Sequence, residues 1–327
     1  MIFLRAFPFS FDILWRFAIV LPLLLIGIVM VAVLAVMATF FFGLISPLIG
    51  LLIVLGFGLM ATVLPVLVGL RLGLQAKRVR IRNTYLGLLL PAVGYGALEA
   101  ISVLMIFALL AGGFLLASPL TFDELMRLAQ LDPSFVQTRM AETNPALFYS
   151  AIGLGLLLML SLRTALLVPL AGASIGRDPN GYPHTPFYGF GSGFFSLLAI
   201  VIFAYVAGYF VIPVAVLICI SLGMGNDLER LANQIEFTGD YTVAADFWPI
   251  ALTFFAITLV MYLWLFSLQC AGAVLIFKRF VDKEEARKDA FVKQVDQDLA
   301  AQTPDPMRDE DMMNLIRSRM PGKKYDN

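Results

Sequence analysis

The fold class is decided by residues 17–42, which read FAIVLPLLLIGIVMVAVLAVMATFFF and contain no charged side chain. A helix rises about 1.5 Å per residue and the hydrocarbon core of a bilayer is about 30 Å thick, so about 20 apolar residues can span it. Five further stretches are long enough. The six predicted spans are residues 17–42, 48–70, 86–117, 147–171, 194–222 and 247–277. The sequence therefore predicts an all-α integral membrane protein, a polytopic bundle of six transmembrane helices.

The composition of the whole chain agrees with this class. Of 327 residues, 60% are apolar and 14% are charged, whereas a soluble domain has about 45–50% apolar and about 25% charged residues. A soluble enzyme of this size could not bury so much apolar surface. The net charge of zero provides no basic field for nucleic acid. Both cysteines, Cys219 and Cys270, lie in apolar runs, which argues against a disulfide-stapled secreted fold.

The distribution of Lys and Arg predicts the orientation. The connection between spans two and three has Arg71 and a basic cluster but no acid, whereas residues 118–146 carry two Arg against four acids. The positive-inside rule therefore places both termini in the cytoplasm. We expect the basic cluster to lie at the anionic headgroups of the inner leaflet. This cluster consists of Lys77, Arg78, Arg80 and Arg82.

The segments flanking the spans have helical signals. Residues 1–16 mix aromatic and charged side chains, which favours an interfacial helix on the inner leaflet. On the outer side, Thr121 and Glu124 have the spacing of a capping box, and Asp132-Pro133 and Asn144-Pro145 are typical helix starts. Leu228, Leu231 and Ile235 recur at helical spacing. We expect short amphipathic outer helices.

The tail, residues 278–327, is charged and has eleven basic and eleven acidic residues. Its first half is predicted to continue span six as an amphipathic cytoplasmic helix, with a stripe at Phe280, Phe291, Val295 and Leu299. Met312, Ile316 and Met320 mark a second short helix. The tail is either a solvated, partly disordered segment or a docking peptide for a protein partner.

Glu99 and Arg163 are the informative charges within the spans, because a charge at membrane depth is costly unless it is paired or hydrated. They lie about 20 Å and about 14 Å from the inner ends of spans three and four. These two spans are joined by one outer connection, so we expect Glu99 and Arg163 to form an intramembrane ion pair. Three interpretations remain open: a structural salt bridge, a substrate or proton site, and an Arg163 that extends to the inner headgroups.

Other polar and small residues indicate no chemistry. His184 is the only histidine, and one histidine without clustered Cys or carboxylates is not a metal site. No nucleophile lies beside a base, so we expect no catalytic residue, metal or cofactor. The small-xxx-small spacing of Gly69 with Gly73 favours close helix packing.

Two segments carry a family resemblance. SLRTALLVPLAGASIGRD (161–178), which contains Arg163, is followed by TPFYGFGSGFFSLL (185–198), and the chain starts with LRAFPFSFDILWRFAIVLPLLL (4–25). This order resembles the membrane-domain family of bacterial glycerophosphoryl diester phosphodiesterases and its stand-alone, uncharacterised six-helix relatives. The chain has no room for the phosphodiesterase barrel of roughly 250 residues. The resemblance therefore implies a multi-pass module of the bacterial inner membrane without hydrolase activity, in which Arg163 alone matches a motif position.

Three functions follow from these residues. The first is a non-enzymatic scaffold, assembly or envelope-maintenance protein, favoured by the tail and by the lack of catalytic residues. The second is a small-solute or lipid transporter that uses Glu99 and Arg163, since transporters place polar groups at interrupted helices near the midplane. Few other polar residues in the spans support it. A membrane-embedded enzyme is the least favoured.

Overall fold

The computed structural model describes residues 2–79, 81, 83–176, 185–239 and 247–302. Every regular element in these ranges is helical, which confirms the predicted all-α class. The long helices are α1 (Ile2–Ile45), α2 (Pro47–Ala76), α3 (Leu89–Ala117), α6 (Pro145–Ile175), α7 (Phe194–Ser221) and α9 (Trp248–Gln302). The shorter ones are α4 (Phe122–Leu131), α5 (Pro133–Thr143) and α8 (Gly225–Thr238), and a 3-10 turn at Leu86–Leu88 precedes α3.

Six of these helices are long and apolar enough to cross a membrane. They correspond to the six predicted stretches, although several ends differ, including that of α2, which continues to Ala76 instead of ending at residue 70. Helix α1 begins at Ile2, α6 continues to Ile175, and α9 extends to Gln302. Pro22, Pro65, Pro169 and Pro213 lie inside the helices without ending them, because a long apolar helix tolerates a proline kink.

Residues 2–16 are helical and form the first part of α1, while their predicted place on the inner leaflet stays a prediction. Helix α1 runs without a break from Ile2, and its first part packs on the other helices. A stripe at helical spacing is buried there: Ala6, Phe9, Ser10, Ile13 and Phe17. The indole N–H of Trp264 donates a hydrogen bond to Ser10 Oγ at 3.1 Å. Some aromatic side chains of this segment are therefore buried against other helices, and others lie exposed on the outer surface of the helices.

The predicted starts of the short helices are confirmed by their caps. The Glu124 amide donates to Thr121 Oγ1 at 3.3 Å before α4. Asp132 Oδ1 accepts the Ser134 amide at the start of α5, and Asn144 Oδ1 accepts that of Leu147 at the start of α6. Each side-chain oxygen satisfies an N–H that the first helical turn leaves free.

Helix α2 packs closely on α1, α3 and α9, and we call these contacts the packed side. A Cβ atom at Gly73 would lie 2.8 Å from Ile13 Cδ1 of α1 and 2.9 Å from Val274 Cγ2 of α9. At Gly69 it would lie 2.9 Å from Cys270 Sγ. At Gly96 of α3 it would lie 2.5 Å from the backbone oxygen of Leu59. Close approach at Gly69 and Gly73 confirms that their spacing marks helix contacts.

The chain divides into a first compact unit, residues 1–277, and a second unit that begins at Lys278. Within the second unit the backbone is helical as far as Gln302, as predicted for the first half of the tail. Phe291, Val292 and Val295 are exposed on that helix. The predicted second helix around Met312, Ile316 and Met320 lies outside the described residues.

Candidate functional site

Glu99 and Arg163 lie at similar levels of neighbouring helices. Helices α3 and α6 pack against each other. Glu99 lies about 20 Å along the axis from Leu86, and Arg163 lies about 18 Å from Ile175. The levels agree more closely than the sequence suggested because α6 extends four residues beyond residue 171, the predicted end of the span. Both side chains are half-buried.

The predicted ion pair between these residues is not formed. Arg139 pairs with Glu124 and Arg230 with Asp227 within 4.0 Å, and no such salt bridge joins Glu99 to Arg163 in the part of the chain that the structure describes. Similar depth on adjacent helices was therefore insufficient to predict a contact, because it does not determine the distance between the two side chains.

The space between them is a cleft of about 710 Å³, open at the surface of the helices, that both charged side chains line. We call it the polar chamber. Helices α3, α6, α7 and α9 form its walls. Besides Glu99 and Arg163, its polar lining residues are Tyr205, Tyr209, Tyr262 and Gln269. A carboxylate, a guanidinium, three phenols and an amide thus face one chamber midway along apolar helices.

The three tyrosines present their hydroxyls on two helices. Tyr205 and Tyr209 lie one turn apart on α7, their hydroxyl oxygens are 2.5 Å apart, and their rings meet edge to face. The Tyr262 hydroxyl of α9 donates to the Gly208 carbonyl at 3.4 Å. A phenol both donates and accepts hydrogen bonds. Sequence reasoning missed these residues, and the one-turn spacing of Tyr205 and Tyr209 was the signal that could have found them.

A second cavity adjoins the chamber and is apolar. It has a volume of about 320 Å³ and lies between α3 and α6, toward the end where Met140 of α5 contributes to its wall. Leu156 and Met159 line both cavities. The other lining residues are Phe107, Leu110, Ala111, Phe114, Phe148, Ala151, Ile152 and Gly155. We call this cavity the apolar groove.

The predicted basic cluster is described in part. The Lys77 ammonium lies 4.1 Å from the centre of the Phe9 ring, and Arg78 is exposed with a left-handed φ of 57° at the end of α2. Arg80 and Arg82 lie outside the described residues. The contact of Lys77 and Arg78 with anionic headgroups stays a prediction.

Arg71, one helical turn and a half before the cluster, is a buried cation. Its side chain is 7% exposed and lies 4.2 Å above the Tyr85 ring. Its Nε and Nη1 atoms are buried and have no hydrogen-bond acceptor in the part of the chain that the structure describes. The ring face therefore provides the main compensation for this charge.

A larger cavity of about 910 Å³ lies where α3 begins and α6 ends, lined by Asn83, Thr84 and Thr185 among others. The Tyr95 hydroxyl donates to the Pro186 carbonyl beside it. Among the described residues, the wall of this cavity has no carboxylate or basic side chain. Within the described ranges no three His, Cys, Asp or Glu residues are grouped as metal ligands, and His184 lies outside those ranges.

Comparison with known protein families, curated proteins and solved structures finds no match to this chain. The chamber and the groove, through the residues that line them, are therefore the basis for proposing a function.

Proposed function

We propose that this chain is a multi-pass protein of the bacterial inner membrane, with both termini in the cytoplasm, that binds and carries a polar or amphipathic molecule in the polar chamber. This is the transporter interpretation of the sequence. It assigns ligand binding to Glu99 and Arg163 and treats their helices as transmembrane. The family resemblance remains a prediction. The proposed function does not depend on it and is compatible with it.

One observation carries the proposal. Glu99 and Arg163 line the same chamber midway along apolar helices, and they do not form an ion pair with each other. An ionised side chain at that depth costs several kcal/mol unless a partner or water compensates it. A ligand that carries complementary groups would supply the compensation that neither residue provides for the other.

The chamber favours binding over chemistry. Its described lining has no Ser, Thr, Cys or His, so it provides no usual nucleophile paired with a base. Tyrosine hydroxyls, an amide and two charges instead provide hydrogen-bond partners for a polar group. We therefore propose a non-enzymatic carrier.

Co-purification tests this function. The full chain is extracted in mild detergent and its bound small molecules are identified by mass spectrometry, in parallel with Glu99→Gln and Arg163→Met. We expect a molecule that the wild type retains and both variants lose. Arg139→Met, which removes an exposed arginine of α5, is the control and should retain it. Identical sets of molecules in all four proteins would contradict the proposal.

The orientation has its own test. A reporter fused after Asn327 should be active in the cytoplasm, and a cysteine introduced at Gln130 should react with a membrane-impermeant reagent from outside. A C-terminus on the outer side would show that one helix does not cross. Replacing Lys77, Arg78, Arg80 and Arg82 by Gln should weaken this orientation or the binding of anionic lipid, at about 1 kcal/mol per charge.

A scaffold or assembly role is the second candidate. Phe291, Val292 and Val295 are exposed on the helical part of the tail, and an apolar stripe on a charged helix is a common docking motif. Deletion of residues 278–327 should then release a co-purifying protein without changing the melting temperature of the remaining chain. Unaltered co-purification after deletion would leave the tail as a solvated segment.

A further inference from the structure

The polar chamber and the apolar groove are neighbours along α6. Leu156 and Met159 belong to the walls of both cavities. The groove then follows the α3–α6 contact past Ala111 and Ala151 to Phe114 and Phe148. A single molecule that reaches from the chamber into the groove would pass from a charged environment to an apolar one within a few helical turns.

The chamber is balanced in charge. Among the described residues, its ionisable lining consists of one carboxylate, Glu99, and one guanidinium, Arg163, together with three phenols. A ligand with only one charge would satisfy one of these residues and leave the other uncompensated. A ligand that carries one cation and one anion would satisfy both, because each charged residue needs an opposite partner in a low-dielectric site.

The groove is suited to a hydrocarbon chain. The lining residues that the structure describes are all apolar side chains and Gly155. The Cβ position of Gly155 would be 2.8 Å from Leu110 Cδ1, so α3 and α6 approach closely there and bound the space. No polar lining group in the groove would recognise a second headgroup. A water-soluble solute would gain little from this half of the site.

We infer that the molecule bound here is a zwitterionic phospholipid, with its headgroup between Glu99 and Arg163 and one acyl chain in the apolar groove. The inference rests on the proposed function and names its ligand class. The ammonium of the headgroup would lie at Glu99, and the phosphate at Arg163 with the tyrosine hydroxyls as further donors. The acyl chain gains van der Waals packing rather than transfer from water, because it leaves one apolar environment for another.

The test measures binding of radiolabelled phosphatidylethanolamine to the full chain in detergent. Unlabelled phosphatidylethanolamine, phosphatidylglycerol and glycerophosphoethanolamine compete in separate arms. We expect phosphatidylethanolamine to compete at least about tenfold better than either of the others. Phosphatidylglycerol has the phosphate without the ammonium, and glycerophosphoethanolamine has the headgroup without the chains.

Variants assign the two halves of the site. Arg163→Met should weaken lipid binding about tenfold to hundredfold by removing a charge-assisted contact. Ala111→Phe should fill the groove and weaken it about tenfold, and Ala151→Leu is a second groove variant in case the first is unstable. Ala108→Phe lies one turn away on α3, outside both cavities, and should bind as the wild type does.

The outcomes separate the ligand class from the proposed function. If glycerophosphoethanolamine binds as tightly as the lipid and neither groove variant matters, the lipid inference is overturned while a polar ligand in the chamber remains. If phosphatidylglycerol competes equally, the zwitterionic assignment is wrong. If Glu99→Gln and Arg163→Met change the binding of no probe and no co-purified molecule, the inference and the proposed function both fail.

Discussion

Helix α3 has two sides with opposite packing. Toward α2, the helix backbones approach so closely that a Cβ atom at Gly96 would lie 2.5 Å from the Leu59 carbonyl oxygen. Toward α6, three residues farther along, Glu99 faces a chamber of about 710 Å³. The packed side has no room for one methyl group, and the open side has room for a ligand. Helix α3 is thus tightly packed on α2 along one side and lines an accessible chamber along the other.

The two arginines show the same contrast. On the packed side, Arg71 is 7% exposed and the Tyr85 ring covers it. On the open side, Arg163 is half-buried and lines the chamber. The first charge is compensated within the protein by an aromatic face, and the second has no salt-bridge partner among the described residues. Only the second is placed to attract a ligand.

The largest expected effect comes from adding a methyl group to the packed side. Gly96→Ala should lower the free energy of unfolding by about 1–3 kcal/mol, because the new Cβ meets a backbone atom that cannot turn away. Gly94→Ala, two residues earlier with nothing within 4 Å of its Cβ position, is the matched control and should be neutral or slightly stabilising. Thermal unfolding in detergent measures both. Equal melting temperatures would remove the distinction between the two sides.

The second prediction concerns the buried cation of the packed side. Tyr85→Leu should destabilise the protein by about 1–2 kcal/mol, because it removes the ring over Arg71. Arg71→Met should cost less, since an apolar side chain of similar length needs no compensation. In the double variant, the loss of Tyr85 should matter less than it does alone. Additive losses would show that the ring does not compensate the charge.

The third prediction concerns the charges of the open side. A buried contact pair loses about 3–5 kcal/mol when one partner is removed. Because Glu99 and Arg163 do not meet, Glu99→Gln and Arg163→Met should be additive within about 0.5 kcal/mol in delipidated protein. Coupling should appear when phosphatidylethanolamine is present, since the lipid would join the two residues. Strong coupling without lipid would restore the direct ion pair predicted from the sequence.

The smallest expected effect is at the cap of α5, which contributes Met140 to the groove. The Asp132 carboxylate accepts the Ser134 N–H, and this hydrogen bond holds the pKa of Asp132 below its ordinary value. A lowered folded-state pKa means that the stabilisation is present above the unfolded pKa and is lost as the pH falls through the folded pKa. Carboxyl NMR titration should show this pKa return toward its ordinary value in Ser134→Pro. The proline lacks the N–H and is tolerated in the first turn. An unchanged Asp132 pKa would contradict the cap as its cause.

Much of the fold was predictable because its signals are local. The apolar length of residues 17–42 and the Asn144-Pro145 start of α6 depend on neighbouring residues alone, and both are confirmed. The interfacial helix over residues 1–16 was predicted from the same kind of local signal, and its position on the inner leaflet stays a prediction. Its composition suits a membrane surface, but Ile13 and Phe17 find partners on α2 and α9.

The candidate site was predictable only in part. The cost of a charge in an apolar helix identified Glu99 and Arg163 without any structure. Their side chains were predicted to meet, and they line a chamber instead. Tyr205, Tyr209, Tyr262 and Gln269 were overlooked because an isolated tyrosine or glutamine in an apolar span is unremarkable until the helices bring several together.

The sequence by itself determined that six helices are long and apolar enough to cross a membrane, where the short helices begin, and which two charges needed an explanation. These properties follow from helix rise, side-chain hydrophobicity and capping, which act within one segment. Tertiary structure decided that α3 packs on α2 at Gly96 and opens toward α6 at Glu99. That choice depends on which helices are neighbours and on how their side chains fill the space between them, and it is a property of several segments at once.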